Sequence, residues 1–267
     1  MSRIAGAFEQ ARAARRAVFI PYLTAGDPTP DATVSMARVL EEAGAGILEL
    51  GVPFSDPIAD GPVLQRAAAR ALEGGTRLDT VFEIARRIRR DSSLALLLFS
   101  YLNPLLHRGL APAAREAAQA GFDGVLLTDV PPEEAGGIQP VFREAGLDTV
   151  FLVSPTSPAG RMSRAAGLSS GFLYVVSRPG TTGARETLPG DLARTIRRAR
   201  KAAKRLPLAV GFGISTEEGA AQAARLADGV VVGSALVAAA EEAGEDRLEA
   251  VAVLARALAR GCAATRE

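Results

Sequence analysis

The sequence predicts an α/β protein whose eight parallel strands close into a single (β/α)8 barrel. Eight short apolar runs recur along the chain, each followed by a stretch with helical spacing. None of these runs alternates polar with apolar residues, so each is apolar on both faces, as strands of a helix-covered parallel sheet are. The chain has 267 residues, 48% of them hydrophobic, with no composition break or long linker to set off a second domain. That length suits one such barrel. The predicted fold class is therefore a TIM barrel over residues 1–267, with an extra N-terminal helix and short extra helices after strands 2 and 8.

Each element has its own signature. Residues 8–16 form a short amphipathic helix bearing Arg12, Arg15 and Arg16. The first strand is 18–23 (VFIPYL), ended by the turn Ala25-Gly26-Asp27-Pro28. Helix 31–43 sets Val34, Ala37, Val39 and Leu40 against Glu41 and Glu42, with Gly44 as its C-cap. Strand two is 47–50, followed by helix 63–72 and then helix 77–90, which lines up Leu78, Val81, Phe82, Ile84, Ala85 and Ile88 opposite arginines. Strand three is 94–99, helix 111–120 follows it, and Gly121 caps that helix. Strand four is 124–128, and Asp129-Val130-Pro131-Pro132 closes it. Helix 133–145 is weakened in its middle by Gly136 and Gly137. Strand five is 148–153, helix 159–166 follows, and strand six is 171–176. A loop bearing Gly, Thr and Pro (177–189) leads to a basic helix, 190–205. Strand seven is 208–214. Helix 215–225 begins S-T-E-E, with Ser215 as the expected cap and Glu217 and Glu218 near the positive end of its dipole. Strand eight is 229–232, and helical sequence from 235 to 258 finishes the chain.

The bulk numbers exclude several classes. With 31 basic and 30 acidic residues the net charge is +1, so no global basic field draws in nucleic acid. The cations of the helix near Arg194, Arg197, Arg198 and Lys201 read as a solvated outer face. The single Cys262 excludes an intramolecular disulfide framework and a multi-cysteine zinc site, and the single His107 excludes any metal site or relay needing two histidines. The N-terminus lacks the apolar core of a secretory signal. The longest uncharged stretch, 92–107, contains Asn103 and Pro104 and reads as a strand, too short to span a bilayer. A soluble cytoplasmic protein is expected.

The most informative stretch is 48–62, LELGVPFSDPIADGP. Glu49 interrupts an otherwise apolar strand, and a charge there is costly unless it is paired or used. Asp56 and Asp60 follow in a Pro-rich loop, where an isolated Asp-Pro or Asp-Gly is most simply an Asx turn or a cap. Glu49 resists that reading, because glutamate is a poor strand former and is rarely buried. Three acids beside one strand end make a candidate acid–base site. Active sites of such barrels lie at the C-terminal strand ends. Strand seven ends in Gly211-Phe212-Gly213, strand eight in Gly233-Ser234 at a helix start, and the loop after strand six holds Gly180 and Gly183. These small residues let backbone N–H groups approach an anion, so the sequence predicts a phosphate cradle. Tyr22, Phe99, Leu126, Tyr174 and Phe212, near the ends of five strands, form an apolar floor. Any one of them taken alone is ordinary barrel packing.

At these residues the chain resembles the α subunits of tryptophan synthase. LELGVPFSDPIADGP is nearly the whole signature of that family. FIPYLTAGDP (19–28), TDVPPEE (128–134), SRPGTTGAR (177–185), GFGIS (211–215) and VGSALV (232–237) match in order and spacing. The resemblance covers essentially the whole chain. It implies retro-aldol cleavage of indole-3-glycerol phosphate to indole and glyceraldehyde 3-phosphate. Glu49 falls on the catalytic acid–base and Asp60 on the second catalytic carboxylate. Thr182 falls on a loop threonine that orders Asp60 when the lid closes. Gly183, Gly213, Gly233 and Ser234 fall on phosphate-binding positions, and Tyr22, Tyr174 and Phe212 on positions lining the indole pocket. The resemblance also implies an αββα complex in which the β subunit carries pyridoxal phosphate and receives the indole. No cofactor is then expected in this chain, whose only lysines are Lys201 and Lys204. Loops around Pro53, Asp56, Asn103 and Pro131 would face the β subunit.

Three positions depart from the family pattern. Tyr22 stands where many members have Phe, which adds a hydroxyl at the pocket edge. Pro179 and Thr181 replace commoner small or aliphatic residues, and the proline is expected to stiffen the lid and alter its closing kinetics without abolishing the chemistry. Two other readings compete. Among other phosphate-binding barrels, a metal-dependent epimerase would want clustered histidines, and an indole-glycerol-phosphate-forming synthase a lysine at a strand end; neither is present. A docking subunit that has lost its own catalysis would not need Glu49, Asp60 and Thr182.

Overall fold

The computed structural model describes residues 2–176, 192–211 and 213–263. Eight strands pair in parallel in chain order and close into a barrel: β1 (Val18–Thr24), β2 (Ile47–Gly51), β3 (Ala95–Ser100), β4 (Gly124–Leu127), β5 (Asp148–Val153), β6 (Leu173–Val176), β7 (Leu208–Gly211) and β8 (Gly229–Val232). The helices are α1 (Arg3–Ala13), α2 (Pro30–Glu42), α3 (Pro62–Glu73), α4 (Leu78–Asp91), α5 (Leu102–Arg108) and α6 (Leu110–Ala120), then α7 (Gln139–Glu144), α8 (Ala159–Leu168), α9 (Leu192–Ala203), α10 (Glu217–Leu226), α11 (Ser234–Ala243) and α12 (Arg247–Cys262).

Strand periodicity explains why these runs are apolar throughout. Phe19, Leu48, Leu50, Leu96, Leu98, Val175 and Val210 belong to one buried cluster shared with the helices. Ile20, Tyr22, Ile47, Leu97, Phe99, Leu126, Val150, Tyr174 and Val231 belong to a second, which fills the barrel interior. Glu49 has the inward parity of Ile47, and its neighbours across the ladder are Tyr22 and Leu97. The carboxyl is therefore carried by the inner wall.

At the N-terminal strand ends, α1 closes the floor. Ile4, Phe8 and Ala11 are part of the interior cluster, and the Phe8 ring lies 5.6 Å from that of Phe172. Gly124 makes room for the plug, since a Cβ there would meet Ile4 Cδ1 at 2.8 Å. Ion pairs pin it: Arg3 Nη1 reaches Asp123 Oδ1 at 3.0 Å, and the other oxygen of Asp123 accepts from Arg89 Nη2 and the Leu96 amide, each at 2.9 Å.

The expected extra helices after strands 2 and 8 are α3 and α11. Elsewhere the structure departs from the sequence reading. The N-terminal helix spans Arg3–Ala13, where 8–16 was expected, because Ser2 caps it by accepting from the Ala5 amide at 3.2 Å. The α5 helix was not expected. The sequence reads 92–107 as a strand, but Asn103 and Pro104 sit in the first turn of this helix, where backbone N–H groups have no intrahelical partner to lose. Helix 133–145 divides at its glycine pair into a short 3-10 turn, Ala135–Gly137, and α7. Strand six begins only at Leu173, and strand seven stops at Gly211. Ser215 does not cap α10; Thr216 does, its Oγ1 accepting from the Gly219 amide at 3.1 Å. The stretch 235–258 is two helices broken at Gly244, whose φ is +56°. Of the basic helix 190–205, the described part is α9 and the turn after it; Arg197, Lys201 and Lys204 are exposed, and Arg198 reaches the carbonyls of Pro155 and Ser157 at 3.0 and 2.6 Å. No helix among the described residues is long and apolar enough to cross a membrane.

If α1 is the floor of the core, Phe8→Ala should destabilise the fold by about 3 kcal/mol, the cost of emptying a buried aromatic site. A urea midpoint unchanged from the wild type would show that the plug contributes nothing.

Candidate active site

The C-terminal strand ends bring most of the predicted residues together. Tyr22, Glu49, Phe99 and Tyr174 line one small cavity inside the mouth, and Gly213, Gly233 and Ser234 line it from the seventh and eighth strand ends. Leu126 does not line this cavity. It lies level with Phe99 on the neighbouring strand, within the same interior cluster. Thr182, Gly183 and Phe212, with Pro179 and Thr181, lie outside the described residues.

Glu49 is 1% exposed, and its Oε1 is buried without a hydrogen-bond partner among the described residues. Burial alone pushes its pKa from 4.5 up to about 8. The carboxyl therefore keeps its proton at neutral pH.

Asp60 is 7% exposed and is held differently. The loop after β2 is tied down by its own backbone, with the Asp60 amide donating to the Pro57 carbonyl at 3.0 Å. Gln65 Nε2 donates to the Asp60 carbonyl at 2.9 Å. Tyr101, just past β3, completes the hold. Its hydroxyl accepts from the Ala59 amide at 2.9 Å and donates to Asp60 Oδ2 at 3.1 Å. Its ring lies 5.2 Å from that of Phe54. Burial pushes Asp60 up to about 6, and the Tyr101 hydrogen bond opposes that rise. The two acids are thus separated by environment, one carboxyl protonated and one mostly ionised at pH 7. Asp56 takes no part; it is exposed and bonded to its neighbour Ser55.

Two tyrosine hydroxyls need glycines opposite them. A Cβ on Gly51 would lie 2.0 Å from the Tyr22 hydroxyl, and one on Gly211 would lie 2.2 Å from that of Tyr174. The Tyr22 hydroxyl pairs with Thr24 Oγ1 at 3.3 Å, and its ring meets Phe99 edge-on at 5.2 Å. Burial first, and then the charge of Asp60, raises the Tyr22 pKa, so this hydroxyl stays neutral. On the far side, α11 starts at Ser234 with Gly233 as its N-cap, which points a helix N-terminus into the cavity.

Sequence reasoning missed three participants. Leu64, in the first turn of α3, and Val231, in β8, also line the cavity; both carry the signature of core residues. Tyr101 could have been found as a polar aromatic directly past a strand end. Among the described residues, no group of three or more His, Cys, Asp or Glu side chains could hold a metal ion.

The fold and these residues place the chain in the class of (β/α)8 barrel proteins with a pair of buried carboxyls at the mouth. Comparison with known proteins narrows the class to one family. Residues 8–264 match the family model described as "Tryptophan synthase alpha chain". A tryptophan synthase alpha chain of Solibacter usitatus is 52% identical over 245 residues, 92% of this chain and 91% of that one. One from Geobacter sulfurreducens is 46% identical over 237 residues, 89% of each. A crystal structure of tryptophan synthase subunit alpha from Legionella pneumophila superposes with a TM-score of 0.90 at 42% identity, covering 98% of both chains. A structure of Mycobacterium tuberculosis tryptophan synthase does so at 0.90 and 37% identity, again covering 98% of each. The chain belongs to the tryptophan synthase alpha chain family.

Two outcomes test the electrostatics. As pH rises past 4.5 the unfolded state sheds the Glu49 proton, while the folded state keeps it to about 8. The wild type therefore loses stability relative to Glu49→Gln across that window. The Tm advantage of the variant should grow from pH 4.5 to 8 and then level off; a pH-independent difference would refute a buried neutral acid. Removing the bond that holds Asp60 down, by Tyr101→Phe, should raise the Asp60 pKa above about 6 in a carboxyl NMR titration.

Proposed function

We propose that this chain cleaves indole-3-glycerol phosphate by a retro-aldol reaction to indole and glyceraldehyde 3-phosphate, and that the indole passes to a tryptophan synthase β subunit. The observation that carries the reading is the Glu49 carboxyl inside the cavity, its Oε1 buried and without a hydrogen-bond partner among the described residues, where burial raises its pKa to about 8. A carboxyl that keeps its proton at neutral pH is a general acid waiting for a substrate atom.

The steps follow from the two acids. Glu49 gives its proton to the indole ring carbon that bears the glycerol chain. The ring becomes cationic, and the Asp60 carboxylate accepts from the indole N–H and stabilises that charge. Glu49, now ionised in a dry cavity, takes the proton of the adjacent side-chain hydroxyl. The carbon–carbon bond breaks as that oxygen forms the aldehyde carbonyl, and the bond's electron pair returns to the ring and restores indole. Glu49 is left protonated, so no proton is consumed over the cycle. Tyr22, Phe99 and Tyr174 provide apolar walls for the ring, and Leu126 lies beneath them. Gly213, Gly233 and Ser234, with Gly183, hold the phosphate through backbone N–H groups and the α11 dipole. Thr182 orders Asp60 as the lid over the site closes.

In this reading the chain has no cofactor of its own. A Schiff-base lysine would have to be Lys201 or Lys204, and both are exposed on the outside of the barrel. Pyridoxal phosphate belongs to the β subunit, in an αββα complex. That partner sits over the loops around Pro53, Asp56, Asn103 and Pro131. Beside the first two lies an open groove of about 560 Å3 bordered by Phe54, Pro57 and Ile58, and Ile58, 80% exposed, has the character of a residue awaiting a partner.

The test is indole release from indole-3-glycerol phosphate with and without the β subunit. Activity should rise with β and fall by about 10²- to 10⁴-fold in Glu49→Gln. The profile of kcat/KM should be bell-shaped: Asp60 must be ionised and Glu49 protonated, which puts the limbs near about 6 and about 8. Wild type that yields no indole even with β present would overturn the reading.

A further inference from the structure

We propose that Arg70 is a positioning residue that ties the phosphate end of the site to Asp60. The inference rests on the substrate reading above and asks what keeps the two ends of that site in register. Helix α3 starts directly after Asp60 and Gly61, and its first turn puts Leu64 into the cavity. About two turns further on, Arg70 reaches in two directions. Its Nε and Nη2 donate to the two carboxylate oxygens of Asp27, each at 2.8 Å, and its Nη1 donates to Glu241. Asp27 is 8% exposed and lies in the turn after β1, just beyond the Tyr22–Thr24 hydroxyl pair. Glu241 is on α11, about two turns behind Ser234. Arg66 grips the same carboxylate, Nε to Oε1 at 2.9 Å and Nη2 to Oε2 at 2.6 Å.

One guanidinium therefore joins three segments at the mouth side of the barrel: the turn after β1, α3 and α11. The apolar packing behind it is weakly specific. Past Leu64 the buried side chains of α3 are Ala67, Ala68 and Ala71, which interlock little with their neighbours. Forked arginine–carboxylate pairs set direction as well as distance. The Glu241 end of the bridge stays ionised in the working range, because the Arg66 hydrogen bond above all holds that carboxyl down at about 2. An anion held at the N-terminus of α11 is thus linked through Glu241 and Arg70 to the helix that begins at Asp60.

The experiment uses the full chain with its β subunit, as wild type, Arg70→Met, Arg70→Lys and Glu241→Gln. Steady-state indole release should show kcat down about tenfold in both Arg70 variants, with KM changed less than about threefold. Lysine should not rescue, since it cannot serve both carboxylates as a fork. Amide hydrogen exchange with added inorganic phosphate reads the coupling separately. Phosphate should slow exchange at 233–237 and at 59–65 in wild type, and at 233–237 alone in the variants. A variant that loses only thermal stability, with kcat per folded molecule unchanged, would overturn the proposal. So would wild type in which phosphate leaves 59–65 unprotected, or variants in which both segments stay protected. Should Arg70→Met fail to fold, Arg70→Lys and Glu241→Gln carry the test. Wild type that releases no indole would remove the substrate reading, and the exchange measurement would still decide the coupling.

Discussion

A carboxyl whose Oε1 is buried in the inner wall of a barrel without a partner among the described residues stays there as the neutral acid. That constraint on Glu49 organises the mouth of this protein. The strand that carries it must be apolar at every other position, since any second polar group would invite water and relieve the desolvation that keeps the proton in place. The adjacent tyrosine must also be neutral, and burial holds it so. The second carboxyl, Asp60, must be kept ionised in nearly the same surroundings. It is placed on the loop instead of the wall, where a tyrosine hydroxyl favours its charged form. Two chemically similar groups thereby acquire opposite protonation states through position alone.

Much of this was legible in the sequence. A glutamate inside Ile47, Leu48 and Leu50 is conspicuous because nothing about strand formation calls for it. The eight strands were visible for the complementary reason: a strand buried on both faces cannot alternate, so its composition marks it without reference to its neighbours. Small residues at strand ends, such as Gly233 and Ser234, already suggested an anion cradle, and the match of ordered motifs to one family then brought in Thr182, whose type alone says little. Less legible were contacts created by the closing of the barrel. Tyr101 and Asp60 are 41 positions apart, and no local pattern announces that a hydroxyl from one strand end will hold a carboxyl from another. Leu64 and Val231 were hidden because a cavity wall and a packed core want the same side chains. The missed helix α5 is a different failure: proline is a breaker only where its absent N–H is needed, and the first helical turn does not need it.

The glycines illustrate the same division. From sequence, Gly211 reads as part of a strand-end anion cradle, and Gly51 draws no separate reading. In the folded barrel they are spaces, each set opposite the hydroxyl of a tyrosine on the neighbouring strand. The pairs are mutual, so enlarging one member demands a smaller partner, and that dependence appears only once the ladder register is known.

The N-terminal helix has a consequence for traffic. With Ile4, Phe8 and Ala11 sealed into the floor, the barrel is, among the described residues, a vessel closed at its N-terminal end. Any molecule that reaches Glu49 arrives through the rim, and its fragments must leave through that same rim. A lid or a neighbouring protein resting there would govern entry and departure at once, and a small apolar product would find water or a partner's interior according to which of them covered the opening.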